Sequence, residues 1–153
     1  MPYFSGMSQE DADAFRQGGL DAYGISPERM RSDGTAPCRC CLKLIEAGSD
    51  MLVLAYRPFE ELQPYAETGP IFICSSNCQA VISSPDVPEV VVSPEYLLKG
   101  YSSDERIVYG TGQITPKADV ATYADALLDR EDIAFVDLRS AMNNCWQIRM
   151  TRD

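Results

Sequence analysis

The stretch IAFVDLRSAMNNCWQIRM, residues 133–150, decides the fold class of this chain. It contains two runs in which apolar and polar side chains alternate, which is the period of a half-buried β-strand. The pair Asn143-Asn144 lies between the runs and suits a tight turn. The stretch therefore predicts an antiparallel hairpin. Each strand would have one apolar face, formed by Ala134, Val136 and Leu138 in the first and by Trp146, Ile148 and Met150 in the second.

The chain before the hairpin mixes helix and strand signals. The clearest helix opens at Thr115-Pro116, because apolar residues then recur with the 3.6-residue period of a helix. These residues are Val120, Tyr123, Ala124, Leu127 and Leu128. Other strands are predicted over residues 51–56, 71–74, 89–92 and 107–114, and short helices after Ser8, over 76–82 and over 93–100. This order favours an α+β fold with a mixed but largely antiparallel sheet and a few short helices packed against it.

Length and composition predict one domain. The chain has 153 residues, of which 45% are hydrophobic and 24% charged, so it can bury a core of its own. Residues 1–37 are expected to form a helical or irregular N-terminal segment, and residues 38–153 a core that contains the sheet.

The net charge limits the classes of molecule that this protein is expected to bind. The net charge is −10, from 23 acidic and 13 basic residues. A surface of that sign repels phosphate backbones and anionic lipid, so neither nucleic acid nor a membrane is an expected partner. The first residues lack the features of a secretory signal, and no apolar run approaches the roughly 20 residues of a membrane span. We therefore expect a cytoplasmic protein whose partner is a small molecule or another protein.

The absence of histidine excludes several kinds of site. Serine and cysteine triads that use an imidazole base cannot form, and neither can any metal site with a histidine ligand. A site for a soft metal would have to consist of cysteines. Zinc is the one cofactor that the composition suggests.

The chain has six cysteines, which are its only soft metal ligands and thiol nucleophiles: Cys38, Cys40, Cys41, Cys74, Cys78 and Cys145. Cys38 and Cys41 have the C-x2-C spacing that places two thiolates on one tetrahedral ion. We predict a four-cysteine zinc site of Cys38, Cys41, Cys78 and Cys145, or one in which Cys74 replaces Cys145. Arg39 and Lys43 would offset its negative charge.

Two other interpretations of the cysteines stay open. Free cysteine is among the most buried residue types, so the six thiols can simply be small core residues, and this reading is the simplest. Alternatively, Cys38 with Cys41, or Cys78 alone, can serve a thiol-dependent redox enzyme or sensor. The strand that enters and the helix that leaves a thioredoxin-like motif are not predicted around Cys38.

The terminal hairpin also predicts a polar face. Arg139, Gln147 and Arg149 alternate with the apolar residues of their strands and are candidates to bind a ligand. A solvated sheet face with cross-strand ion pairs is the simpler interpretation. The aromatic residues Tyr56, Tyr65, Phe59 and Trp146 either line a pocket or fill the core.

Several segments, taken in order, resemble an uncharacterised bacterial family, domain of unknown function 1203. The segments are CRCCL (38–42), AG (47–48) with LVLAYRPF (52–59), YAETGPIF (65–72) and CWQIR (145–149). The resemblance covers the chain from about residue 38 to residue 149. It implies the fold of that family and carries no activity with it.

From the sequence, three hypotheses remain: a non-catalytic binding domain, a zinc-stabilised module and a thiol-dependent enzyme. We favour a small non-catalytic binding domain with mainly structural cysteines.

Overall fold

Eight strands form two antiparallel sheets in the computed structural model, which describes residues 1–153. The elements, in chain order, are β1 (Tyr3–Ser5), α1 (Gln9–Arg16), β2 (Glu28–Arg31), β3 (Asp50–Tyr56), β4 (Gly69–Cys74), β5 (Glu95–Tyr101), β6 (Gln113–Pro116), a 3-10 turn (Lys117–Asp119), α2 (Val120–Leu128), β7 (Phe135–Ser140) and β8 (Trp146–Thr151). The predicted α+β class is confirmed.

The larger sheet has five strands in the order β1-β8-β7-β5-β6. The predicted hairpin forms its centre, with Leu138 opposite Ile148 and Val136 opposite Met150. Helix α2 begins close to the predicted position and buries Val120, Ala124, Leu127 and Leu128. These residues and the inner face of the sheet form one hydrophobic core, because the apolar stripe of the helix and the alternating strand residues face each other.

The smaller sheet consists of β2, β3 and β4 and supports a second core. This core contains Cys38 and Cys40 together with residues of β3, β4 and α1. Residues before position 38 contribute to both sheets, since β1 pairs with β8 and β2 pairs with β3.

Helix α1 begins where the sequence predicts it. The side chain of Ser8 accepts a hydrogen bond from the amide of Asp11 and so caps the helix. Gly18, with a φ of +97°, follows its last turn. No helix in the structure combines the length and the apolar character that crossing a bilayer requires.

Two predicted helices are wrong. Residues 93–100 look helical because a serine, a proline and a terminal glycine lie at helix-like positions, yet Glu95–Tyr101 is strand β5. This segment pairs with both β6 and β7, and Tyr96, Leu98 and Gly100 are buried at every second position. Pairing on both edges outweighs the local helix signals. Residues 76–82 also form no helix but an irregular segment.

The other strand predictions are partly correct. Residues 51–56 and 71–74 lie in β3 and β4, whereas residues 89–92 form no strand, and of residues 107–114 only the last two belong to β6.

A bulge changes the face of one aromatic residue. Leu138 pairs with Ile148, but the next residue, Arg139, pairs with Trp146, so Gln147 is an extra residue in β8. Trp146 therefore lies on the side of Arg139 rather than with Ile148 and Met150. The predicted shared face holds only for the last two, which lie in the larger core.

Candidate metal centre

Four thiols converge beside the smaller sheet. The Sγ atoms of Cys38, Cys41, Cys74 and Cys78 all lie within 4.8 Å of one another. The Cys38–Cys78 and Cys41–Cys74 pairs are 3.8 Å and 4.0 Å apart. Zn–S bonds of about 2.3 Å in a tetrahedron place sulfur atoms about 3.8 Å apart. Two opposite edges of the group thus have nearly the spacing of a tetrahedral zinc site.

A tight turn supplies the first two thiols. The amide of Leu42 donates to the carbonyl of Cys38 over 3.0 Å, and the amide of Cys38 donates to the carbonyl of Lys43 over 2.9 Å. Leu42 has a φ of +55°, in the left-handed region. The turn folds back on itself, and so brings Cys41 beside Cys38.

The end of β4 supplies the other two thiols. Cys74 is the last residue of that strand, and Cys78 follows in the irregular segment. Cys38 forms an isolated parallel bridge with Phe72, which holds the first turn against β4. The amide of Cys74 also donates to Cys38 Sγ over 3.3 Å. Backbone pairing therefore positions the thiols without the help of a bound ion.

The remaining cysteines lie outside this group. Cys40 is buried in the smaller core, with its Sγ 4.0 Å from the carbonyl oxygen of Cys78. Cys145 is half-buried, and its Sγ is 3.8 Å from the carbonyl oxygen of Asn143. The structure thus brings Cys38, Cys41 and Cys78 together with Cys74, the alternative fourth ligand, and not with Cys145.

Helix α1 provides the positive charge next to the thiols. Arg16 donates from Nη2 to Cys78 Sγ over 2.9 Å and from Nε to the carbonyl oxygen of Cys74 over 2.9 Å. Its side chain is only 7% exposed and also pairs with Asp13 at 3.0 Å. Gln9 binds the segment that contains Cys78, because its side-chain amide donates to the carbonyl oxygen of Cys78 over 3.0 Å. Four thiolates and Zn²⁺ carry a net charge of −2, which Arg16 partly offsets.

The two residues predicted to offset that charge have other surroundings. Arg39 is buried and donates to the carbonyl oxygens of Trp146 and Pro37, each over 2.8 Å. Lys43 is exposed and forms no ion pair. The sequence did not indicate Arg16, since nothing in the pattern of α1 places that helix on the cysteines.

The thiols titrate unevenly when no metal is bound. Hydrogen bonds from Cys38 and the other neighbouring thiols hold the pKa of Cys78 far below its ordinary value. The hydrogen bond to Cys38 is the largest cause that raises the pKa of Cys74. Burial alone would lower the pKa of Arg16, but the negative charge of Cys78 raises it. The pKa of Cys38 is also lowered, to about 6, chiefly by its hydrogen bond with Cys41. Cys38 and Cys78 are thus the thiols of the cluster whose thiolate form is favoured, and thiolates are the form that binds metal.

The predicted polar face contains ion pairs. Arg149 forms a bidentate pair with the fully buried Asp137, at 2.8 Å from Nε to Oδ1 and 3.0 Å from Nη2 to Oδ2. Arg139 lies 3.0 Å from Glu67 Oε2. Gln147 is buried on the bulge, and its Oε1 has no hydrogen-bond partner. The ligand-binding role of Arg139, Gln147 and Arg149 stays a prediction.

Comparisons with known proteins identify one family. The model of a family described as "Protein of unknown function (DUF1203)" matches residues 35–152, well over half of the chain. The match includes all six cysteines and leaves out α1 with Arg16. No curated protein and no solved structure matches the chain.

Proposed function

The chain belongs to the DUF1203 family, whose description names no activity, and we propose from its site that it is a non-catalytic domain built around a structural zinc ion. The ligands would be Cys38, Cys41, Cys74 and Cys78. The convergence of their Sγ atoms within 4.8 Å of one another carries the proposal.

The ligand set favours zinc and a structural role. Thiolates are soft ligands, and tetrahedral four-sulfur sites are typical of zinc or iron. With four cysteines, every position of a tetrahedral ion is filled, whereas catalytic zinc sites keep one position for water or substrate. To reach tetrahedral geometry, the widest Sγ pair would close by about 1 Å.

The position of the cluster supports the same role. The smaller sheet has three strands, and its core consists of 11 buried residues, against 15 in the larger one. An ion bound at this place would tie the turn after Pro37, the end of β4 and the following loop together. Metal binding to such a site contributes directly to folding stability.

Thiol catalysis is the alternative for the same residues. The low pKa of Cys78 and its contact with Arg16 are features of a reactive thiol. The same features also prepare the first ligand of a metal site. Cys38 is fully buried and no helix follows Cys41, so the C-x2-C pair lacks the setting of a thioredoxin-like site.

Metal analysis of the native protein tests the proposal. Protein purified without chelator should contain about one zinc per chain, and a strong chelator should lower both the zinc content and the midpoint of thermal unfolding. A thiol titration on the same sample should show the four cysteines protected until the zinc is removed. Protein that lacks zinc after zinc-supplemented growth, with one rapidly reacting thiol, would favour the thiol enzyme instead.

Replacing Arg16 should weaken zinc binding without removing a ligand. Loss of a residue that hydrogen-bonds to a metal ligand typically weakens metal binding by about 10- to 100-fold, and we expect Arg16→Ala to weaken zinc binding within that range at unchanged stoichiometry. Competition with a chromophoric chelator measures the affinity. Arg31→Ala is the matched control, because Arg31 is exposed and makes no ion pair. Equal affinities in the two variants would show that Arg16 does not support the ion.

A further inference from the structure

A second candidate site lies where the two sheets meet. A cavity of about 350 Å³ lies between the end of β3, strand β8, the start of α1 and the loop at Glu105. Small-molecule sites typically begin at about this size and often lie between structural units. We propose that this cavity binds a small planar monocarboxylate.

Three of the eleven lining residues are aromatic: Tyr56, Phe59 and Trp146. Tyr56 and Trp146 pack against each other with ring centroids 5.6 Å apart and an interplanar angle of 50°. The bulge in β8 causes this arrangement, since it turns Trp146 away from the core of the larger sheet and toward Tyr56. Trp146 and Phe59 are only 5% and 6% exposed, so the half-buried Tyr56 provides most of the accessible ring surface for a planar molecule.

One lining residue, Arg57, has hydrogen-bond donors without a partner in the protein; the indole nitrogen of Trp146 also lacks a partner but is buried out of reach of solvent. Arg57 is half-buried, and its only hydrogen bond is the 3.5 Å contact from Nε to the carbonyl oxygen of Phe59, so its two terminal nitrogens have no partner. No carboxylate lies within ion-pair distance of Arg57. Trp146 is 5% exposed, and its Nε1 is buried without an acceptor. A carboxylate would satisfy the guanidinium in a bidentate manner.

Most of the other charged groups of the lining are already engaged, whereas the exposed carboxylate of Glu60 pairs with no cation. Arg149 is bound to Asp137 and also donates to the carbonyl oxygen of Pro58 over 2.7 Å. Glu105 accepts from the amide of Glu60 over 2.9 Å, and Asp11 accepts from the hydroxyl of Tyr56 over 3.4 Å. Arg57 is thus the one cation of the lining without a carboxylate partner. The lining carboxylates, those of Asp11, Glu60 and Glu105, would repel a second negative charge. The site therefore favours a monocarboxylate over a dicarboxylate or a phosphate.

The position of Trp146 provides a direct readout, because it is the only tryptophan of the chain. Benzoate is the test molecule, and benzamide and benzylamine are its neutral and cationic counterparts of similar size. We expect a saturable change in Trp146 emission with benzoate, and affinities at least tenfold weaker with benzamide and benzylamine. The titrations are run at constant ionic strength, with the zinc content of each sample measured, so that failure of this site is distinguished from failure of the metal site.

Substitution of Arg57 tests the role of the guanidinium. Arg57→Gln should weaken benzoate binding at least tenfold and leave benzamide binding unchanged, whereas the control Arg31→Ala should bind benzoate as the unmodified protein does. Circular dichroism verifies the fold of each variant. The proposal is overturned if benzoate gives no saturable change, if benzamide or benzylamine binds as well as benzoate, or if Arg57→Gln binds benzoate normally. The comparison of benzoate with benzamide needs no variant, so it decides the matter even if Arg57→Gln does not fold.

Discussion

Cys74→Ser is expected to abolish stoichiometric zinc binding. A serine hydroxyl does not replace a thiolate on a soft metal, and three cysteines leave the tetrahedron incomplete. An ion present at a thousandfold excess over its dissociation constant stabilises a fold by about 4 kcal/mol, so we expect a loss of that order. Metal analysis and chemical unfolding at fixed free zinc measure the two effects.

Cys145→Ser is the matched control for that change. The substitution is chemically the same, but the thiol of Cys145 lies outside the group of four. Zinc content and unfolding should therefore stay close to those of the unmodified protein. If Cys145→Ser loses the metal and Cys74→Ser keeps it, the ligand set with Cys145, which the sequence predicts first, would replace the one proposed from the structure.

Asp137→Asn is expected to lower the free energy of unfolding strongly, which is the second large effect. Asp137 is fully buried and holds both Nε and Nη2 of Arg149, whose guanidinium also packs 3.7 Å from the centroid of Phe135. Burial would lower the pKa of Arg149, and the Asp137 carboxylate raises it. Asp137→Asn removes that support, but a guanidinium stays protonated at neutral pH because its ordinary pKa is above about 12. A buried charge that loses its partner costs about 3–5 kcal/mol of stability. Denaturant unfolding of the variant measures this loss.

Asp132→Asn is a suitable comparison, because Asp132 also forms a bidentate pair, with Arg130, but on the surface. Water screens that pair, and we expect little change in the unfolding midpoint. If both variants lose the same free energy of unfolding, the burial of the Asp137–Arg149 pair does not determine how much that pair contributes to stability.

The spacing of apolar residues and the local capping signals predicted the elements of the fold that short-range sequence determines. Helix α2 and the hairpin of β7 and β8 follow from apolar spacing, and α1 follows from the Ser8 cap. Strand β5 could not be predicted in this way, because its local signals are helical and only its pairing with two other strands makes it extended. The bulge at Gln147 also has no local signal, and it shifted the predicted face of Trp146.

In the candidate site, too, local spacing predicted some ligands, whereas the others depend on tertiary structure. The C-x2-C spacing indicated that Cys38 and Cys41 act together, because a two-residue gap returns the chain within a single turn. The choice between Cys74 and Cys145 depends on how β4 lies against that turn, which is a tertiary property. Arg16 could not be predicted for the same reason, since it reaches Cys78 across 62 positions of the chain.

The pairing of β1 with β8 has a consequence for the kinetics of folding. Phe4 lies opposite Met150, so an edge of the larger sheet joins the two ends of the described chain. During synthesis on the ribosome, this edge cannot form until residue 151 has emerged, and contacts of such wide sequence separation slow folding. Residues 3–5, whose other backbone pairing is the bridge between Phe4 and Ser84, must therefore wait for β8 before they join the larger sheet.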